Sequence, residues 1–231
     1  MKTIGLIGGM SWESTIPYYR QINETIKDRL GGLHSAKIVL YSVAFHEIER
    51  LQHAENWDAA GAILADAARS LEAAGAAFLV LCTNTMHKIA FIIESAVAIP
   101  LLHIADPTAI EIQRAGHSTV GLLGTRFTME QAFYRARLSE RHGLRVIIPD
   151  SEDREIIHRI IYEELCLGVV KPESRSAYRK IMSKLASQGA EAIILGCTEI
   201  SLLVDQQDSE VQLFDTTAIH ARMAAEEALS P

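Results

Sequence analysis

The chain has 231 residues, 48 % hydrophobic and 22 % charged, a composition typical of a globular protein with one large core or two smaller ones. Its net charge of −7 argues against a nucleic-acid or anionic-membrane surface as partner, and no apolar run reaches the about 18 residues a membrane span needs. The start, MKTIGLIGGMSWEST, meets glycines and a glutamate too early for a signal peptide, so we expect a cytoplasmic protein.

The elements follow in chain order. TIGLIGGMS (3–11) is a first strand and its loop, and a helix over 17–30 stops at Gly31-Gly32. AKIVLYS (36–42) is a second strand, followed by an alanine-rich helix over 57–74 that stops at Gly75. The run FLVL begins at Phe78. TVGLLG begins at Thr119, and a helix over 129–142 stops at Gly143. LRVIIPD (144–150), a helix over 174–187, the run AIIL from Ala192, a strand over 211–214 and a helix over 217–229 complete the chain. Apolar runs without polar alternation belong to strands buried on both faces, and strand–helix alternation gives an α/β fold with parallel sheets.

The chain also repeats itself. TIGLIGGMS resembles TVGLLGTRF 116 residues on, and GAAFLVLCTNTMH (75–87) resembles GAEAIILGCTEIS 114 residues on. AKIVLYS and LRVIIPD form a weaker third pair at 108. We therefore expect two pseudo-symmetric lobes, each a small parallel sheet flanked by helices, with an active site in the cleft between them. The first lobe takes 1–103 plus 214–231, its C-terminal helix folding back, and the second takes 104–213.

Ligands of parallel α/β sheets bind at the carboxyl ends of strands. The loops expected there are GGMSWE (8–13), TNTMH (83–87), GTRFT (124–128) and GCTEI (196–200). Gly8-Gly9 lacks the three-glycine spacing of a dinucleotide site. Thr85 and Thr198 are equally readable as helix caps, and His87 as a packed histidine. At the 114-residue offset Thr83 maps onto Cys197, Asn84 onto Thr198 and Thr85 onto Glu199. One proton-active group on each face of a ligand is what inversion at a carbon centre needs. A helix N-terminus behind Cys197 would lower its pKa, and Glu199 would oppose that. Cys82 should point away from Thr83 by strand alternation. Cys166 falls on an expected helix. No CxxC or HExxH spacing supports zinc, and three cysteines in a reducing compartment are expected as thiols.

IGLIGGMSWEST, NTMHK and GCTEI together resemble the aspartate/glutamate racemase family over the whole chain. GCTEI, rather than GCTHYP, places it on the aspartate racemase side. The resemblance implies a two-domain α/β fold, often a homodimer. It also implies racemisation of an amino-acid substrate by two bases, without pyridoxal phosphate or metal. Carried over by motif, Cys197 is the base on the L-face and Thr83 stands where the family has its first cysteine. Met10, Gln52, Asn84, Thr85, Thr198 and Glu199 match substrate-holding positions. A hydroxyl at Thr83 is a poor base but can donate a proton, so conversion biased from L to D is expected. Dicarboxylate-specific members carry a basic residue near position 166, where Cys166 stands here. That leaves Arg50 and Arg126 as cationic candidates, with a broader site for neutral amino acids as the alternative. The competing readings are a decarboxylase, a cis–trans isomerase or a hydantoin racemase of the same superfamily, and a small-ligand-binding protein that has lost catalysis.

Overall fold

The structure is a computed structural model describing residues 1–231. It divides into two compact units, Met1–His103 with His220–Pro231, and Ile104–Ile219. The first contains β1 (Ile4–Gly8), α1 (Trp12–Leu30), β2 (Ile38–Ser42), α2 (Phe45–His53), α3 (Trp57–Ala73), β3 (Phe78–Leu81), α4 (Ala90–Ala96) and β4 (Leu101–Leu102). The second contains α5 (Ala105–Arg114), β5 (Thr119–Gly124), α6 (Arg126–Glu130), α7 (Ala132–Ala136), β6 (Arg145–Ile147), α8 (Ser151–Glu163), α9 (Pro172–Ser187), β7 (Ala192–Gly196) and β8 (Gln212–Asp215). The chain returns to the first unit within α10 (Thr216–Leu229).

Each unit holds a four-stranded, all-parallel sheet, ordered β2-β1-β3-β4 in the first and β6-β5-β7-β8 in the second. Strand alternation loads both faces of the first sheet. Ile7, Leu79 and Leu81 pack against Leu64, Ala68 and Leu71 of α3. Ile4, Leu6, Phe78 and Val80 meet Tyr18, Ile22 and Ile26 of α1, with Ala221 and Ala225 of α10. In the second unit Leu123, Ile193 and Leu195 pack on α8 and α9, while Val120, Leu122 and Ile194 pack on α5, Tyr134 and Leu138. Strands buried on both faces need an unbroken apolar run.

The register also aligns the repeats. Ile4 pairs with Phe78 in the first sheet, and Val120 with Ala192 in the second. Thr83 and Cys197 therefore stand at the same distance beyond equivalent strand positions. In this strand order the chain runs to one side of β1 and then crosses to the other. Loops after β1 and β3, and after β5 and β7, thus leave from a topological switch point.

Several helices differ from the sequence-based expectation. α1 begins at Trp12 rather than at Pro17, which stands sixth in the helix and forgoes one bond, to the Glu13 carbonyl. α9 begins at Pro172, whose missing N–H is no loss at the first position. The helix expected over 129–142 is broken into α6, α7 and a π-helical turn at Arg137–Arg141, with Gln131 extended between α6 and α7. The break has a packing reason. Met129 belongs to the core on one face of the sheet, and Tyr134 and Leu138 to the core on the other. Cys166 lies on a single-turn 3₁₀ helix (Leu165–Leu167) after α8 rather than on an α-helix. No helix is long and apolar enough to cross a membrane.

Candidate active site

In the first unit, Gly9 turns the chain out of β1 at φ 90°. A side chain there would collide with the Val43 carbonyl oxygen, so the turn requires glycine. The Thr15 hydroxyl accepts from the Gly9 N–H at 2.9 Å and donates to the Ser11 carbonyl at 2.8 Å. Met10 is buried in the same core as Ile48 of α2 and Met86. Gln52, expected after β2, is carried by α2. It is buried, and its Nε2 donates to Met86 Sδ at 2.9 Å. The structure thus joins Gln52 to the loop that follows β3.

That loop holds Thr83, Asn84 and Thr85, all buried. Thr85 opens a 3₁₀ helix, Thr85–Ile89, and the residue before it, Asn84, makes no side-chain cap bond. His87 is more than filler, because its Nδ1 donates to the Thr83 carbonyl at 2.7 Å and so fixes the peptide that carries Thr83. Its ring lies 4.4 Å from that of His103 and 6.1 Å from that of His220. His220 is fully buried between the Tyr18 hydroxyl and the Leu102 carbonyl, each at 2.9 Å. The carbonyl requires a proton on Nε2, so in the neutral ring Nδ1 accepts from Tyr18. Burial pushes its pKa down to about 4. Cys82 is fully buried in the core facing α1 and α10, and burial raises its thiol far above the usual range.

In the second unit, a side chain on Gly196 would meet the Leu123 carbonyl oxygen at 2.7 Å, so β5 and β7 approach closely just before Cys197. Cys197 Sγ donates to Glu199 Oε2 at 3.0 Å, and Thr198 Oγ1 donates to the same oxygen at 2.9 Å. Thr198 therefore serves the carboxylate rather than capping a helix. The expected lowering of the thiol pKa does not occur. Burial pushes it well up, and the Glu199 and Cys166 charges push it further. The only helix following is one 3₁₀ turn, Ile200–Leu202, too short for an effective dipole. The loop after β5 plays a structural part, as Thr125 Oγ1 caps α6 through the Thr128 N–H at 3.3 Å. Arg50 and Arg126 are both exposed. No group of three or more His, Cys, Asp or Glu side chains is arranged to hold a metal ion.

Tyr178 stands outside the motifs of the sequence. It occupies an apolar position of α9, fully buried in the same core as Cys197, with Cys166 packed against that core. Its position in the amphipathic pattern reads as packing and gives no sign of a neighbouring thiol.

Two parallel sheets of one topology, with a hydroxyl and a thiol at equivalent strand ends, define a protein of duplicated α/β architecture. The family model for Asp/Glu/hydantoin racemases matches residues 7–224, and the chain belongs to this family. It is 26 % identical to the broad specificity amino-acid racemase RacX of Bacillus subtilis, over 95 % of each chain. A crystal structure from Yersinia pestis, described as a candidate Asp/Glu racemase, is 62 % identical with a TM-score of 0.92, covering both chains in full. That of an aspartate racemase homologue from Pyrococcus horikoshii is 38 % identical with a TM-score of 0.85, again covering both chains in full.

Proposed function

We propose that this protein racemises amino acids without pyridoxal phosphate, with Cys197 as the base on the L-face and Thr83 as the opposing acid. The observation that carries the reading is the equivalence of these two residues at the switch points of two sheets of one topology, within a chain of the racemase family. The thiol proton passes along the existing bond to the Glu199 carboxylate, leaving a thiolate. The thiolate takes the α-proton, and the Thr83 hydroxyl delivers a proton to the other face of the planar carbanion. Cys197 is then again a thiol, and the proton left on Glu199 is lost to solvent while the Thr83 alkoxide regains one, which restores the resting carboxylate and hydroxyl. Asn84, Thr85, Thr198, Met10 and Gln52 hold the substrate's amino and carboxylate groups and its side chain.

The unequal pair makes the enzyme directional. The equilibrium constant of a racemisation is unity, so kcat/KM is equal in both directions. The bias from L to D therefore lies in kcat, matched by KM. Aspartate and glutamate are the first substrates to test. The exposed Arg50 and Arg126 favour a second reading, a broader site for neutral amino acids, since a buried distal carboxylate needs a partner. A racemisation screen of L- and D-amino acids, without added cofactor and followed by chiral chromatography, tests both. Turnover with a change in mass, or none with any amino acid, contradicts the reading.

We also propose a homodimer. Trp12, Ile16 and Tyr19 are 61, 49 and 56 % exposed on one stripe of α1, and Leu40 and Tyr41 are exposed on the edge strand β2. Sedimentation of Tyr19→Glu as a monomer, against a parental dimer, is the expected result. A cytoplasmic location fits three cysteines of which none is in a disulfide.

A further inference from the structure

Cys197 poses a problem its own loop only partly solves. A buried thiol beside a carboxylate resists ionisation, yet a base must reach its thiolate form. The Glu199 backbone N–H is one contact that favours the charged sulfur. A second group stands on α9. Tyr178 packs in one cluster with Cys197, Leu165 and Ile200, and its hydroxyl is buried without a hydrogen-bond partner. An unpaired buried hydroxyl costs free energy and calls for an explanation. Tyr134 also has one, but the charge that bears on it is that of Asp106, which is tied to Arg137 and His142. The charges that bear on Tyr178 are Cys197 first, then Cys166, Glu199 and Glu164.

We propose that the Tyr178 hydroxyl is a positioning group for Cys197, donating a hydrogen bond to the sulfur once it becomes a thiolate. The inference rests on Cys197 being the base. In the resting form the thiol points at Glu199, and the phenol has nothing to donate to. When the proton moves to Glu199, the sulfur turns from donor to acceptor and the phenol gains its partner. Burial and the surrounding acids keep the phenol protonated, so donation is its available role. The ionisable groups facing this pair are Glu199 on the Cys197 loop, Cys166 on the 3₁₀ turn and Glu164 after α8. Glu164 is itself bonded to Ser174 at 2.6 Å and paired with Lys171 at 3.2 Å, leaving Tyr178 and the Glu199 N–H to serve the sulfur.

The test is the alkylation rate of Cys197 by iodoacetamide across pH, read on its peptide by mass spectrometry in the intact protein. Tyr178→Phe removes one oxygen and keeps the ring. The midpoint should move up, and the rate near neutral pH should fall about tenfold, with the alkaline plateau unchanged. kcat should fall with the same shift while KM stays near its parental value. Replacing Tyr178 by 3-fluorotyrosine, a stronger donor, should move the midpoint down, which covers the case in which the phenylalanine variant folds poorly. An unmoved midpoint in either protein overturns the inference. The alkylation profile needs no turnover, so it is separate from the reading of Cys197 as base, which fails if Cys197→Ala still racemises.

Discussion

The two strand ends beyond β3 and β7 share a backbone position but not a chemistry. After β3, Thr83 is a hydroxyl whose peptide is fixed by a histidine, in a unit where His87, His103 and His220 lie buried together. After β7, Cys197 is a thiol bonded to a carboxylate, with a second cysteine and a phenol close by. A duplicated scaffold can thus keep its geometry while its two halves diverge in acidity. That difference predicts a racemase with one good base and one reluctant partner.

The largest effect should come from the second strand end. Cys197→Ala should lower kcat about 10³-fold in both directions, as expected for loss of a general base. Chiral chromatography with saturating substrate checks it. At the first strand end, Thr83→Ala should cost about 10²-fold in racemisation while L-substrate still exchanges its α-proton. Thr83→Cys should raise kcat from the D-enantiomer and bring the two directions closer. If Thr83→Cys leaves their ratio unchanged, the comparison breaks.

Glu199→Gln sharpens the second half of the comparison. Its charge raises the Cys197 pKa, so removing it should move the alkylation midpoint of Cys197 down. Racemisation should still drop, because the thiol loses its proton acceptor. Faster alkylation with slower turnover is the expected signature.

The smallest effects concern acid stability, where the units differ again. In the first, His220 stays neutral down to about pH 4, whereas an unfolded histidine takes up its proton near 6.5. The unfolded state binds more protons between these values, so stability falls as pH drops through that window, by about 3 kcal/mol at most. In the second, burial pushes the Asp106 carboxyl up, but bonds from Arg137 and His142 outweigh it and hold the group below the usual range. Its contribution is complete above the ordinary carboxylate pKa and is lost as pH falls through the depressed value. Hydrogen exchange should therefore show the first unit loosening at a milder pH than the second. Asp106→Asn should lower stability by about 2 kcal/mol near neutral pH.

The parallel strands were legible because both faces are buried, which leaves FLVL and AIIL without polar positions. The repeat was legible because the paired strands kept their spacing. The helix break at Gln131 was not, since it comes from Met129 and Tyr134 serving opposite faces of one sheet. Gln52 is expected after β2 by resemblance alone, which foreshadows neither α2 nor its bond to Met86. The direction of the Cys197 shift was missed because burial, which local sequence does not display, outweighs one 3₁₀ turn. Tyr178 was hidden for a similar reason, as its neighbour lies on a loop far along the chain.

The central claim is that a thiol on the L-face and a hydroxyl on the other divide the proton transfer unequally. Deuterium uptake at the α-carbon in D₂O, followed at early conversion from each enantiomer, tests it most directly. Recovered L-substrate should gain deuterium ahead of inversion, because the Cys197 thiol exchanges with solvent and returns its deuteron to the same face. Recovered D-substrate should stay protiated. Equal uptake into both recovered enantiomers would contradict the account.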